Sequence, residues 1–457
     1  MARSPQSRKP KMQIQLDSLE VVNPRAAGID IGAREHWVAV PPSLSEDPVR
    51  SFSALTPGLR ALVDWLVNCG ITTVVMEATG VYWVPLYEML EARGLEVALV
   101  NARHVRMVPG RKSDVLDCQW LLKLHTFGLL RGSFRPTAEI VELRGYLRQR
   151  DRLVEGAAVH VQHMHKALTL MNVQLHTVLS DLTGDTGMAI IRDLVAGQRD
   201  PVQLARHRNW RCHASQATIA ASLQGNFQRE HMLSLTQALA LYDLHQQLIA
   251  DCDAATQRLL QELTQRVTVV RPKLGSSPKR RHKRDPQVDF RTPAYTLTGV
   301  DLTAVPGIAA YSAVCLLAEI GTDMSRWASA SEFASWLRLA PRANITGGRV
   351  TDARTMPGIS RAAELLRTAA VCASKTNTAI GAFYRRMTLR HSSGHAVVAT
   401  AHKLARIIYY MLKHGTAFNP IDEAAYNEQQ RQRSITRLQR HAIGIGMTLV
   451  PLPTGVS

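Results

Sequence analysis

Between residues 26 and 129, short apolar runs carry carboxylates at positions that a packed core tolerates badly, and this restricts the folds open to the chain. Asp30 lies inside Ala26-Ala27-Gly28-Ile29-Asp30-Ile31-Gly32, and Glu77 ends Val74-Val75-Met76-Glu77 just before Ala78-Thr79-Gly80. Asp114 and Asp117 stand three apart in Lys112-Ser113-Asp114-Val115-Leu116-Asp117, at the start of a helical pattern, so they share one helix face. Isolated carboxylates at strand ends and on a helix face are costly unless something cationic gathers them. A ligand set made only of oxygens suits magnesium or manganese, which act on phosphate esters. The four acids therefore point to nucleic-acid chemistry.

Strand signals fall at 26–31, 36–41, 49–54, 72–77 and 95–100, and helix signals at 57–69, 83–93 and 114–129. Such alternation predicts an α/β sheet that is parallel in part. Three short strands ahead of the first long helix suggest a ribonuclease-H-like domain over 24–130, in which acids from strand one, strand four and a late helix converge. Arg131-Gly132-Ser133-Phe134-Arg135-Pro136 breaks the pattern, and a helical region follows over 137–268. There Leu241, Leu244, Leu248, Cys252, Ala255, Leu259 and Leu263 recur at steps of three and four, a stripe suited to a coiled-coil hairpin. The first half of the region carries Arg144, Arg148, Arg152, His160, His163 and Lys166, a surface suited to solvent or RNA. His160 and His163 have helical spacing but no acid or thiol close in sequence, which argues against a metal site. Residues 271–284 hold seven basic residues and no acid, within a basic linker over 269–297 that reads as flexible or as a nucleic-acid arm. A mainly helical unit over 298–420 and a tail over 421–457 without strong pattern complete the expected order: α/β, then α.

The chain's 457 residues leave room for two or three domains with real cores. Its 55 Lys and Arg against 37 Asp and Glu give +18, a balance that favours a polyanionic partner. Aromatic residues are only 5%, which weighs against base stacking as the main binding mode. None of the six cysteines has CxxC spacing, so neither a zinc site nor a disulfide framework is suggested, and a reducing cytoplasm fits. The basic stretch Met1–Lys11 lacks the apolar core of a secretory signal. The most apolar stretch, Ala304–Ala318, is interrupted by Pro306 and Gly307 and is too short to span a bilayer.

A second candidate site lies in the C-terminal half. Leu302-Thr303-Ala304-Val305-Pro306-Gly307-Ile308 reads equally well as a DNA-gripping hairpin between helices and as a Pro-Gly turn in a helical core. In Arg338-Leu339-Ala340-Pro341-Arg342-Ala343-Asn344-Ile345-Thr346-Gly347-Gly348-Arg349, Gly347 and Gly348 permit a tight, exposed backbone that a phosphate can approach closely. Arg338, Arg342, Arg349, Arg354, Arg361 and Arg367 outnumber the nearby acids Asp352 and Glu364. Guanidinium forks bind phosphate oxygens and stabilise a pentacovalent transition state, so this is a candidate nucleophile loop.

In this order, the segments GIDIGAREHWVAV, VVMEATGVYW, VALVNARHVR, KSDVLDCQWLL, VPGIAAYSAVCLLAEIGT, EFASWLRLAPR, the TGG turn and HKLARIIYYMLKHGTAF closely resemble the bridge-RNA-guided DEDD transposases of insertion-sequence family one-ten. The resemblance implies an RuvC-like N-terminal domain, an oligomerising coiled coil and a C-terminal transposase domain. It implies cut-and-rejoin recombination of donor and target DNA, programmed by a structured non-coding RNA. Asp30, Glu77, Asp114 and Asp117 fall on that family's metal-binding quartet, for Mg2+ or Mn2+. The family serine that joins covalently to DNA, in a site completed between protomers, aligns with Thr346, with Arg342, Gly347, Gly348 and Arg349 around it. Threonine keeps the hydroxyl, but its β-methyl restricts χ1 and crowds an in-line attack; Ser360 is the nearby fallback. The implied assembly is a dimer, with a tetramer in synapsis, in a bacterial cytoplasm on the nucleoid. Two other readings use the same residues: a metal-dependent endonuclease of the Holliday-junction type, and an inactive nucleic-acid-binding relative. An actin-like ATPase would need a second aspartate beside a Gly-Gly loop, which Thr346-Gly347-Gly348 lacks.

Overall fold

A computed structural model describes residues 20–78, 80–101, 114–276, 286, 288–342, 344–347, 349–352, 354–356, 358 and 360–450. The chain divides into two compact units, Met1–Arg135 and Pro136–Ser457. The first is built on a five-stranded sheet of β1 (Ala26–Ile31), β2 (Glu35–Ala39), β3 (Val49–Ser53), β4 (Thr73–Glu77) and β5 (Glu96–Val100), in the order β3-β2-β1-β4-β5. β1 is antiparallel to β2 and β2 to β3, whereas β1, β4 and β5 run parallel. Helices α1 (Thr56–Asn68), α2 (Trp83–Ala92) and α3 (Asp114–Thr126) fill the crossovers and the end of the unit. Every strand and helix read from the sequence is present within two or three residues of its expected ends.

The sheet's two faces follow from strand alternation. Ala27, Ile29, Ile31, Val74 and Met76 point to one side, where they pack on Leu59, Leu62 and Leu66 of α1 and on Leu86 and Leu90 of α2. The intervening residues Gly28, Asp30, Val75 and Glu77 belong to the opposite face. There Val75 and Val100 pack on Leu121 of α3.

The second unit opens with α4 (Ala138–Leu170), followed by four short helices, α5 (Leu175–Val178), α6 (Asp185–Val195), α7 (Pro201–Ala205) and α8 (Gln216–Ser222), and then the long α9 (Arg229–Gln265). Contacts of Glu139 with Arg266, Arg150 with Asp253 and His160 with His245 show that α4 and α9 run antiparallel, side by side. The short helices close one end of this hairpin around a core that includes Met164, Leu168, Met171, Ile190, Leu194 and Leu235. The expected leucine stripe is turned differently from its reading. Leu259 is buried, but Leu241, Leu244 and Leu248 are 43%, 52% and 38% exposed, while Ala238, Leu239, Ile249 and Leu260 are buried.

The remainder consists of α10 (Arg291–Thr298), α11 (Ala310–Ile320), α12 (Ala330–Trp336), a hairpin of β6 (Asn344–Thr346) and β7 (Arg349–Asp352), α13 (Arg361–Ser374), α14 (Ala379–Thr388), α15 (Ser393–His414) and α16 (Glu423–Gly444). The Pro306-Gly307 turn lies in the core. Gly307 has φ +88° and a Cβ there would sit 2.1 Å from the carbonyl oxygen of Ala369, so the turn is pressed against α13. Helix α16 occupies most of the segment expected to lack pattern. Of the basic stretch 271–284, residues 277–284 lie outside the described residues. Among the described residues no helix is long and apolar enough to cross a membrane.

Candidate functional site

The N-terminal carboxylates share one face of the sheet. Ile29 pairs with Met76 in the parallel register, so the next residues, Asp30 and Glu77, stand side by side at the strand ends. Helix α3 lies unusually close to this face at Gly28. A Cβ on Gly28 would be 2.4 Å from both the carbonyl oxygen of Cys118 and the backbone nitrogen of Leu122. The far end of α3 is fastened where His125 Nε2 meets Thr73 Oγ1 at 2.9 Å and where the Asn23 amide donates to the His125 carbonyl at 2.7 Å. On α3, Cys118 and Leu121 face the sheet, and Asp117 precedes Leu121 by one turn on the same stripe. The thiol of the wholly buried Cys118 is pushed up to about 12, chiefly by burial, with the carboxylates of Asp30 and Asp117 adding to the rise.

Asp30, Glu77 and Asp117 are half-buried. All-carboxylate donors fit a hard divalent cation. Among the described side chains no three His, Cys, Asp or Glu are gathered closely enough to hold a metal, and the side chain of Asp114 lies outside that description.

The second candidate site is the β6–β7 hairpin. Thr346 pairs with Arg349 across the turn, Gly347 takes φ +56°, and Thr346, Gly347 and Arg349 are exposed. Gly348 lies outside the described residues. A bridge between Pro341 and Thr355 and a 3.0 Å bond from the Arg342 N–H to the Arg354 carbonyl fasten the base of the hairpin. Arg342 and Arg354 are exposed, so three arginines surround this short ladder. Ser360 is committed elsewhere: its hydroxyl accepts from the Ala363 N–H at 3.3 Å and caps α13.

Two groups of side chains in the second unit are not brought together by the sequence reading, which sets Arg144 and Arg148 on a surface suited to solvent or RNA, whereas both bond residues of α11. Asp151 on α4 accepts a 2.7 Å bond from the Tyr311 hydroxyl and meets Arg361, while Arg148 bonds Glu319 through two nitrogens. Arg144, Arg148, Asp151, Tyr311, Glu319 and Arg361 line a cavity of about 560 Å³. The other group joins Arg386, Lys403, Arg433 and Tyr426 from three successive helices. Its only sequence signal was Arg433, Arg437 and Arg440 at helical steps of four and three.

A family model described as "Transposase", for DEDD transposases of the IS110 type, matches residues 27–173. A second, described as "Transposase IS116/IS110/IS902 family", matches residues 301–385. The chain belongs to this family of transposases. It is 32% identical over 129 residues, 26% of its own length, to a probable family 20 transposase of Pseudomonas aeruginosa PAO1. The match covers 36% of that relative.

Proposed function

We propose that the protein moves its insertion sequence by cleaving and rejoining DNA strands, and that a structured RNA guides it to donor and target. The observation that carries the reading is the shared face of Asp30, Glu77 and Asp117, set by strand register and by the seat of α3 on Gly28. Asp30, Glu77 and Asp117, with Asp114, are the residues that would hold magnesium or manganese, and the ion would supply charge neutralisation at a phosphate. In the second unit Thr346 is the nucleophile. Its Oγ1 forms a bond to phosphorus, a phosphodiester P–O bond breaks, and the departing oxygen leaves as a DNA hydroxyl end. Arg342 and Arg349 hold the phosphate, and the Gly347-Gly348 turn lets it approach. Guidance by RNA rests on the family resemblance and on the charge of +18. Oligomerisation through the middle region is assigned to the exposed Leu241, Leu244 and Leu248. The protein is placed on the bacterial nucleoid by the same reading.

The test is cleavage of donor DNA with adduct mapping. Thr346→Ala stops cleavage without weakening RNA binding, Thr346→Ser retains it, and the trapped DNA adduct maps to residue 346. Asp30→Asn or Asp117→Asn abolishes strand exchange in a folded protein. Thr346→Ala at the wild-type rate rules out the nucleophile, and free ends with no adduct favour the hydrolytic endonuclease.

A further inference from the structure

Helices α14, α15 and α16 bring two cations, Lys403 and Arg386, onto the rings of Phe383 and Tyr426, with Arg433 on the same helix as Tyr426. Lys403 Nζ lies 4.6 Å from the centroid of Phe383 and 5.1 Å from that of Tyr426. The Arg386 guanidinium lies 5.4 Å from the Tyr426 ring and 6.0 Å from Phe383. Arg433 is the third charge, close enough to both Lys403 and Tyr426 to bias their protonation. The Lys403 ammonium is held below its ordinary range by burial first, then by Arg386 and Arg433.

The acids of α16 are committed to other partners. Glu423 bonds Arg385 at 2.7 Å, Asp422 caps the helix at Ala425, and Glu428 bonds Arg431 and Gln432. Among the described residues no carboxylate forms an ion pair with Lys403, Arg386 or Arg433, although Arg386 bonds the Gln430 amide oxygen. A separate observation comes from Tyr426. It is 5% exposed, yet its buried hydroxyl has no hydrogen-bond partner. A buried phenol normally finds one.

Packing of the cations on the rings offsets part of their burial. It does not remove the repulsion among three like charges or satisfy the hydroxyl. An oxyanion does both, accepting from Tyr426 and from the three cations.

We propose that this cluster seats a phosphodiester of a nucleic-acid backbone, at a site separate from the Thr346 hairpin. The chemical class follows from the surroundings. Arg437 and Arg440 continue from Arg433 along the same exposed helix face for about 10 Å, which suits a chain of phosphates better than a single one. Tyr426 is buried and Phe383 is half-buried with Lys403 and Arg386 against its ring, so neither offers an open platform to bases. Nucleic acid as the ligand rests on the transposase reading; the oxyanion seat stands on the packing of Lys403 and Arg386 against the two rings and on the unpartnered Tyr426 hydroxyl.

The test measures binding of labelled duplex DNA, and of single-stranded RNA of the same length, across a salt series using the full chain. Lys403→Met and Arg433→Gln are each expected to lower the salt slope by about 1, one phosphate contact apiece, on whichever nucleic acid uses the seat. Inorganic phosphate is expected to raise the thermal midpoint of the wild type, but not of Lys403→Met or Tyr426→Phe. Without phosphate, Lys403→Met is expected to melt no lower than wild type, because it removes a buried like charge. Should Lys403→Met fail to fold, Arg433→Gln and Tyr426→Phe carry the same comparison. Wild-type slopes and wild-type phosphate shifts in these variants overturn the seat and leave the transposase reading intact. A wild-type chain that binds neither nucleic acid overturns both.

Discussion

Replacing Gly28 with alanine tests the geometry on which the acidic face depends. The new methyl would lie 2.4 Å from the Cys118 carbonyl oxygen and the Leu122 nitrogen, both backbone atoms that cannot rotate away. An ordinary contact needs about 3.5 Å, so α3 must retreat from β1 by about 1 Å. A glycine-to-alanine change within a strand ordinarily stabilises by roughly 0.5–1 kcal/mol, whereas overpacking of this kind costs about 1–3 kcal/mol. The net expectation is a loss of about 1–2 kcal/mol, read as a lower urea midpoint at unchanged m-value. The retreat also carries Asp117 away from Asp30 and Glu77. A displacement of about 1 Å at a reacting centre lowers rate on the order of 100-fold, so strand cleavage should fall further than stability alone explains. Gly145→Ala is the control, since nothing lies within 4 Å of a Cβ there. If Gly28→Ala matches the wild type in stability and in cleavage, α3 is not seated on β1 in this way, and the shared carboxylate face is lost with it.

The buried pair of Arg150 and Asp253, only 6% and 8% exposed and joined at 2.6 Å, should make Arg150→Met cost about 3–5 kcal/mol in urea unfolding, with Arg150→Met/Asp253→Leu recovering most of the loss. A cost below about 1 kcal/mol would show that water reaches the orphaned carboxylate. The imidazole of His160 is held below its ordinary pKa by burial and then by His245 and His163, so the fold prefers it neutral. Its contribution is complete above about pH 6.5 and is lost as pH falls below that value towards its lowered pKa in the fold. The thermal midpoint should accordingly drop from about pH 7.5 to about 5.5, and drop less in His160→Gln. Ser360→Ala should cost about 1 kcal/mol of stability through the lost cap and leave DNA cleavage intact. A folded but inactive Ser360→Ala would move the nucleophile away from Thr346.

The first unit was legible because β1, β4 and β5 are short apolar runs, with helix signals between β3, β4 and β5, and because a carboxylate in such a run is conspicuous. Apolar periodicity was a poorer guide on α9. Spacing of three and four identifies an amphipathic stripe, but the face turned to α4 contains Asp253 and Thr256, buried polar residues that interrupt the pattern. The exposed leucines keep the cleaner repeat, so periodicity alone marks them as the packed face. Helix α16 lacks a readable pattern for a related reason: Tyr426 is its only buried residue, and its exposed surface is rich in arginine and glutamine. The hairpin turn at Gly347 could be read from its glycine pair, whereas the capping role of Ser360 depends on where α13 begins. The seat of α3 was invisible in advance, since a glycine in a strand signals a close approach without naming its partner.

The contact between Gly28 and Cys118 also orders events in time. β1, β2 and β3 form a local meander, and β4 joins β1 after one crossover. Cys118 meets Gly28 only after a loop of about 90 residues has closed, and distant contacts of that kind form late because chain entropy must be spent before they repay it. During refolding the sheet will precede the carboxylate face by a measurable interval. A newly made chain can thus acquire its strands before its carboxylate face is assembled.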